Sequence, residues 1–277
     1  MPILLIPLLA VMAAGVVAGC LGALLGIGGG VLLIPFLNIV VGLDMKAAAG
    51  ISLMTVIATS SIVAAGSANR SVINLRLGIM LQIPAVAGGL IGAESVESLS
   101  QKSLYMIFAS VTGVIAVVML TRLDRRNVIL DSNISPGTLG GRYFERESGL
   151  PVVYQLRRLP AALGISFSGG VLSGLLGIGG GLLQVPALNA WCGIPMRVAA
   201  ATTAAMIGVT ALGSAPIYYA RGRVIAPLAA AAVVGVLIGS RAGMWMSPRV
   251  RARWLKLLMA IVLGIVSALY IFRSVTI

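Results

Sequence analysis

Two short glycine runs are the residues in this sequence best placed to do chemistry. Gly22 to Asn38 reads GALLGIGGGVLLIPFLN and Ser173 to Asn189 reads SGLLGIGGGLLQVPALN, identical at eleven of seventeen aligned positions. Both lie in apolar sequence. Glycine accepts φ > 0 and lets a second backbone or a ligand come close. A helix that starts just after Gly30 or Gly181 presents unpaired N–H groups and the positive end of its dipole. Two such starts converging from opposite sides of a membrane suit an anion and need no buried cation. Gly28, Gly29, Gly30, Gly179, Gly180 and Gly181 are therefore candidate substrate-binding residues. Pro35 and Pro186 fall within the first turns of the following helices, and Asn38 and Asn189, one turn on, join the candidates. Tight helix packing is the other use of such glycines, and the pairs Gly15 and Gly19, Gly22 and Gly26, Gly88 and Gly92, and Gly235 and Gly239 fit it. A nucleotide-binding loop does not fit, because no Gly-Lys-Ser/Thr follows either run.

Hydroxyls and two amides add to this set. Ser52, Thr55, Thr59, Ser60 and Ser61 follow the first run, and Thr202, Thr203 and Thr210 follow the second. Ser52 aligns with Thr203, and Thr59 with Thr210. Such hydroxyls either bond back to their own helix or, facing a bundle interior, line a path. Gln184 stands where the first run has Leu33, and an amide in an apolar helix costs free energy unless paired. Ser52, Thr202, Thr203 and Gln184 are taken as substrate-binding candidates, with Gln82 a weaker one.

Some chemistry is disfavoured. The seven acids, Asp44, Glu94, Glu97, Asp124, Asp131, Glu145 and Glu147, all avoid the middle of apolar segments, and there is no histidine. A buried carboxylate relay for protons is therefore not expected. Nor is enzyme catalysis, since no nucleophile sits beside a base. Cys20 and Cys192 lack further ligands at metal spacing and read as small packing residues. No catalytic residue, metal or cofactor is expected.

The elements that must position these residues are membrane helices. The chain of 277 residues is 59% hydrophobic and 10% charged, against about 25% charged in soluble domains. Apolar segments run over about 3–25, 31–43, 47–67, 77–95 and 103–121, then 159–177, 182–192, 198–219, 224–246 and 254–272. The two halves share one order: two segments flank a glycine run and three span-length segments follow. The expected fold is an all-α polytopic membrane protein of about eight spans. It has two inverted repeats, each a glycine-turned broken-helix hairpin plus three transmembrane helices. Residues 1–121 form the first repeat, 122–158 a basic connector, and 159–277 the second repeat. A helix over 31–41 is about 17 Å long against a ~30 Å hydrocarbon core, so it cannot cross alone. A hairpin returning to its own face is the first expectation, with one full crossing and a tilted return as the alternative.

Charge orients the chain. Arg122, Arg125, Arg126, Arg142, Arg146, Arg157 and Arg158 place the connector in the cytoplasm. The acidic loop at Glu94 and Glu97 then falls outside, and the aligned basic loop at Arg249, Arg251 and Arg253 inside. Arg221 and Arg223 run against this pattern, because they fall outside while Arg70 and Arg76 fall inside. The runs SPGTLGG and ESGLP, flanked by Tyr143, Phe144, Val152, Val153 and Tyr154, suggest a small hairpin on the membrane face. The net charge of +13 sits at segment ends and in the connector, so nucleic acid is not an expected partner.

The paired GIGGG runs with their Pro and Asn, KAAAGISL after the first and MRVAAATT after the second, resemble the sulfite exporter TauE/SafE family of membrane transporters. The resemblance covers roughly residues 5–121 and 155–272. It implies a multi-pass protein of the plasma membrane, the inner membrane of a bacterium, that moves small anions. Members are associated with export of sulfite, sulfoacetate and other organosulfur compounds. The core it implies is Gly28, Gly29, Gly30, Pro35 and Asn38 with Gly179, Gly180, Gly181, Pro186 and Asn189. Members of this subtype often carry an acid at Gln82, a base at Gln184 and Thr-Ser-Asn near Thr202, Thr203 and Ala204. The residues found here imply a less charged site.

The expected function is export of a small anion, sulfite or an organosulfur or organic anion, by alternating access between two repeats. An anion or small-solute channel and a non-transporting scaffold are the alternatives. The expected partners are the lipid bilayer and the anionic substrate, with a homo-oligomer left open.

Overall fold

The computed structural model describes residues 2–67, 72–121, 137–145, 150–247, 250 and 252–276. Arg70, Arg122, Arg125, Arg126, Arg146, Arg249 and Arg251, which carry part of the charge argument, lie outside the described residues.

The elements follow the hydropathy closely. Helix α1 is Pro2–Leu25. Helix α2, Gly30–Pro35, continues as a π-helical turn over Phe36–Val40. Then come α3 (Met45–Ser67), α4 (Leu75–Ser95) and α5 (Gln101–Thr121). A hairpin of β1 (Gly141–Glu145) and β2 (Leu150–Tyr154) interrupts the helices, antiparallel with Gly141 opposite Tyr154 and Glu145 opposite Leu150. The second half supplies α6 (Leu159–Leu176), α7 (Gly181–Trp191), α8 (Met196–Ala220), α9 (Ala226–Met246) and α10 (Ala252–Thr276). Eight helices among the described residues are long and apolar enough to cross a membrane, and the chain is a multi-pass membrane protein. In α3 and α8, 67% and 72% of the span is buried, more than in any other span, so these two form the centre.

Small residues set the packing. Gly15 and Gly19 of α1 meet Ala232, Val236 and Ser240 of α9, while Gly235, Gly239 and Gly243 meet Met12, Val16 and Cys20. Gly88 and Gly92 of α4 meet Phe167 and Val171 of α6, while Gly170 and Gly174 meet Ala85 and Gly89. In both seams residue numbers rise together, so the paired helices are parallel. With no side chain at the contact, the backbones come together as small-residue membrane interfaces do. Each seam joins a helix of the first half to one of the second. The self-equivalent pairs run the other way. Gly50 of α3 lies beside Tyr218 of α8, and the Ser60 hydroxyl donates to the Ala205 carbonyl at 3.0 Å. Tyr105 of α5 packs on Tyr270 of α10 with centroids 5.3 Å apart, and the Ser267 hydroxyl donates to the Ala109 carbonyl at 2.8 Å. Both pairs are antiparallel.

The hairpins return to the face they start from. The Arg157 N–H, just before α6, donates to the carbonyl of Cys192, just after α7, at 2.8 Å. The same face holds the β-hairpin, through bonds from the Asn74 amide to the Leu139 carbonyl and the Tyr154 hydroxyl. It also holds the start of α8, whose Arg197 donates to the Val250 carbonyl. On the opposite face, Arg223 grips Glu97 with two bonds of 2.9 Å, Lys46 reaches Glu97 at 3.1 Å, and Arg221 reaches Glu94 at 2.8 Å. Asp44 lies 3.5 Å from Arg223. This explains the two arginines that ran against the charge pattern. Acids of the first half neutralise them, so they add little net charge to that face.

Cysteine accessibility tests the hairpins. In a background with Cys20 and Cys192 replaced by Ala, Arg157→Cys and Trp191→Cys should react with an impermeant thiol reagent from one face of oriented vesicles. Val40→Cys and Gln101→Cys should react from the other. Labelling of Arg157→Cys and Trp191→Cys from opposite faces would mean that α6 and α7 together cross the bilayer.

Candidate functional site at the glycine turns

Each turn is built from local backbone bonds. The N–H groups of Gly26, Ile27 and Gly28 converge on the Gly22 carbonyl at 2.9, 3.2 and 3.4 Å, ending α1. Gly29, at φ 67°, precedes α2 in a conformation that strains any side chain, and Leu32 and Leu33 donate to its carbonyl. The second turn repeats this. Gly177 donates to the Ser173 carbonyl at 2.8 Å, Gly180 has φ 69°, and Leu183 and Gln184 donate to the Gly180 carbonyl at 3.2 Å. Neither short helix has a side-chain N-cap, and its start bonds locally instead: Gly30 donates to the Gly28 carbonyl and Gly181 to the Gly179 carbonyl, each at 2.7 Å.

The two turns touch. A β-carbon placed on Gly30 would lie 3.0 Å from the Gly177 carbonyl oxygen and 3.3 Å from Cα of Ile178. One placed on Gly181 would lie 2.6 Å from the Gly26 carbonyl oxygen and 3.1 Å from Cα of Ile27. Ser52 ties them by donating to the Gly177 carbonyl at 2.6 Å. Val56 and Ile207, aligned residues of α3 and α8, cover Gly179 and Gly28. The six candidate glycines and Ser52 are thus brought together. In this conformation, however, the tips are packed on one another, and bare glycine faces let each carbonyl occupy the space that a side chain or ligand would need.

Other candidates lie elsewhere. The Asn38 amide donates to the Leu43 carbonyl at 2.6 Å and the Tyr105 hydroxyl at 3.0 Å, and Asn189 donates to the Ile194 carbonyl at 2.9 Å. Both asparagines close the loop after a short helix, at the hairpin base rather than the tip. Thr202 accepts from the Asn74 N–H at 3.0 Å and so caps α4. Thr55, Thr59 and Ser61 bond back to their own helix. Gln82, oriented to satisfy both ends of its amide, accepts from the Thr210 hydroxyl at 2.9 Å and donates to the Met206 carbonyl at 3.1 Å. Cys192 is buried.

Thr203 and Gln184 differ from these. Thr203 is 1% exposed and its hydroxyl has no partner among the described residues, although the aligned Ser52 is bonded. Gln184 is 2% exposed. Its amide nitrogen lies 3.7 Å from a β-carbon placed on Gly169 of α6. The sequence reading passed over two further buried hydroxyls on α6, Ser166 and Ser173, which are also unpartnered. They align with Gly15 and Gly22 of the first half, and that half-to-half difference is the signal that drew notice to Gln184.

The turn contact sets an expectation for mutation. Gly181→Val should lower the melting temperature of the purified protein by an overpacking cost of about 1–3 kcal/mol. Gly164→Ala, where a β-carbon meets nothing within 4 Å, should leave it unchanged. Equal melting temperatures would mean the turns are not in contact.

With this geometry in view, similar proteins become informative. The chain is 26% identical over 268 residues to a protein of Bacillus subtilis named "Probable membrane transporter protein YunE", covering 94% of this chain and 96% of that protein. It is also 26% identical over 283 residues to "Probable membrane transporter protein MJ0441" of Methanocaldococcus jannaschii, covering 95% and 94%. No solved structure matches. The family model described as sulfite exporter TauE/SafE matches residues 11–270, which takes in both glycine turns and all or most of each span, and the chain belongs to that family.

Proposed function

We propose that this family member is a plasma-membrane exporter of a small anion, sulfite or an organosulfur or organic anion. One observation carries the reading. Two broken helices bring their N-terminal turns together in the interior of a membrane protein whose spans hold no acid away from their ends. Half-helix N-termini of this kind attract anionic groups in repeated transporters. The family match and the transporter names of the relatives support the same reading.

The working unit is two inverted repeats, residues 1–121 and 159–277, with the connector in the cytoplasm. The antiparallel α3/α8 and α5/α10 pairs and the exchanged seams support this arrangement, since a two-fold axis in the membrane plane reverses equivalent helices. Alternating access accounts for tips that are packed shut. Rocking one repeat against the other opens the turn to one face at a time, and the Arg223–Glu97 cluster, which bridges the halves on the non-connector face, is one place where contacts must exchange. The membrane potential favours anion exit by ~2.3 kcal/mol per charge per 100 mV, so no coupled ion is required.

Proteoliposomes containing the purified protein test this. Efflux of sulfite or sulfoacetate should saturate with concentration and should speed up when the same anion is present on the far side. Flux that rises linearly without such exchange would indicate a channel. Absence of flux for sulfite, sulfate, thiosulfate, sulfoacetate, taurine and acetate alike would overturn the proposal.

A further inference from the structure

We infer that the anion seat is one-sided: its free polar side chains come from the second half around the first turn of α7, while the first half supplies backbone, the apolar Val56 and the already bonded Ser52. The inference rests on the transport reading above and gives it a location and a substrate charge.

Helix α7 has eleven residues, and its start is bracketed on two sides. From α6, Ser173 places its Cβ 3.7 Å from the β-carbon position of Gly180, and Gly169 faces both the Gly180 carbonyl and the Gln184 side chain. Ser166, Gly169 and Ser173 share one face of α6 through their i, i+3, i+7 spacing. From α8, Thr203 sets its methyl 3.4 Å from the β-carbon position of Gly181. Ser166, Ser173 and Thr203 are each at most 1% exposed, and none of their hydroxyls has a partner among the described residues.

Buried hydroxyls are normally satisfied, because an unpaired polar group away from water costs free energy. Elsewhere in this bundle they are: Thr55, Thr59, Ser60, Thr112, Ser214, Ser240 and Ser267 all bond to carbonyls. Two unsatisfied hydroxyls beside one helix start, Ser173 and Thr203, with a third, Ser166, on the same face of α6, therefore indicate groups held for something that arrives. The first half has no counterpart. At the aligned positions stand Gly15, Gly22, Leu33 and Ser52, and Ser52 is already bonded to Gly177.

The chemistry of the seat selects by charge. Its side-chain donors are three hydroxyls and an amide, and none of the four side chains is cationic. Neutral donors replace the hydration of a monoanion far better than that of a dianion. The seat therefore takes a monoanionic oxyanion head such as a sulfonate, and discriminates against sulfate.

Methanesulfonate and sulfate are matched tetrahedral probes. Their binding to the full-length protein in nanodiscs is read from the rise in melting temperature with ligand concentration. Methanesulfonate should bind more tightly than sulfate. Ser173→Ala, Thr203→Val and Gln184→Leu should each weaken it about tenfold or more, while Thr203→Ser keeps the affinity. Because the Ser173 and Thr203 hydroxyls have no partner among the described residues, the unliganded melting temperature of Ser173→Ala and Thr203→Val should be unchanged or higher. Unaltered affinity in all three variants would overturn the seat and leave the transport reading standing. Lower unliganded melting temperatures in Ser173→Ala and Thr203→Val would show that the hydroxyls hold the fold and would also overturn it. Sulfate binding as tight as methanesulfonate would overturn the charge assignment. A wild type that responds to neither these anions nor sulfite would sink the transport reading and this inference together.

Discussion

A helix that ends inside a bilayer strands its last carbonyls and the first N–H groups of whatever follows, and lipid can bond neither. This chain breaks two apolar helices at buried glycines and sets the breaks against each other. The Gly177 carbonyl accepts from Ser52 and packs on Gly30, while the Gly26 carbonyl packs on Gly181. Only glycine at these positions permits the approach. The rest of the bundle follows from it. Helices α3 and α8 cross where the tips meet, with Val56 and Ile207 closing over them, and the outer spans enclose that centre.

The contact also relates the halves chemically. At aligned places the first half has Gly15, Gly22 and Leu33 where the second has Ser166, Ser173 and Gln184. A pseudo-symmetric frame thus carries an unsymmetric set of polar groups. Packing demands keep the glycines, prolines and loop-closing asparagines alike in both copies, whereas positions free of those demands have diverged.

Much of this was legible in the sequence. The shortness of the second apolar segment in each half predicted the hairpins, because a length of about 17 Å cannot cross a ~30 Å hydrocarbon core alone. The β-hairpin was visible in SPGTLGG and ESGLP, though Ser135, Pro136 and residues 146–149 lie outside the described residues. Site roles were harder to read. Asn38, Asn189 and Thr202 have the residue types of ligand-binding groups, yet their partners are nearby carbonyls or the start of α4, and only the tertiary arrangement supplies those partners. Ser166 and Ser173 were passed over for the converse reason. On a glycine-rich helix, serine is small enough to look like a packing residue. Arg221 and Arg223 opposed the charge pattern because a tally of basic residues does not include acids brought alongside by folding.

The exchanged seams bear on how the protein is made. Helix α1 rests along α9, and α6 along α4, so the glycine face of α1 is matched to Ala226–Met246, a segment synthesised long after it. Until then Gly15 and Gly19 face lipid or a temporary companion, and the break at Gly26–Gly30 lacks the opposite tip that encloses it. Biogenesis must therefore hold α1 in the membrane without its partner until α9 has been made. An insertase or chaperone that shelters that first hairpin would matter more to this protein than to a bundle whose neighbours in space are also neighbours in sequence.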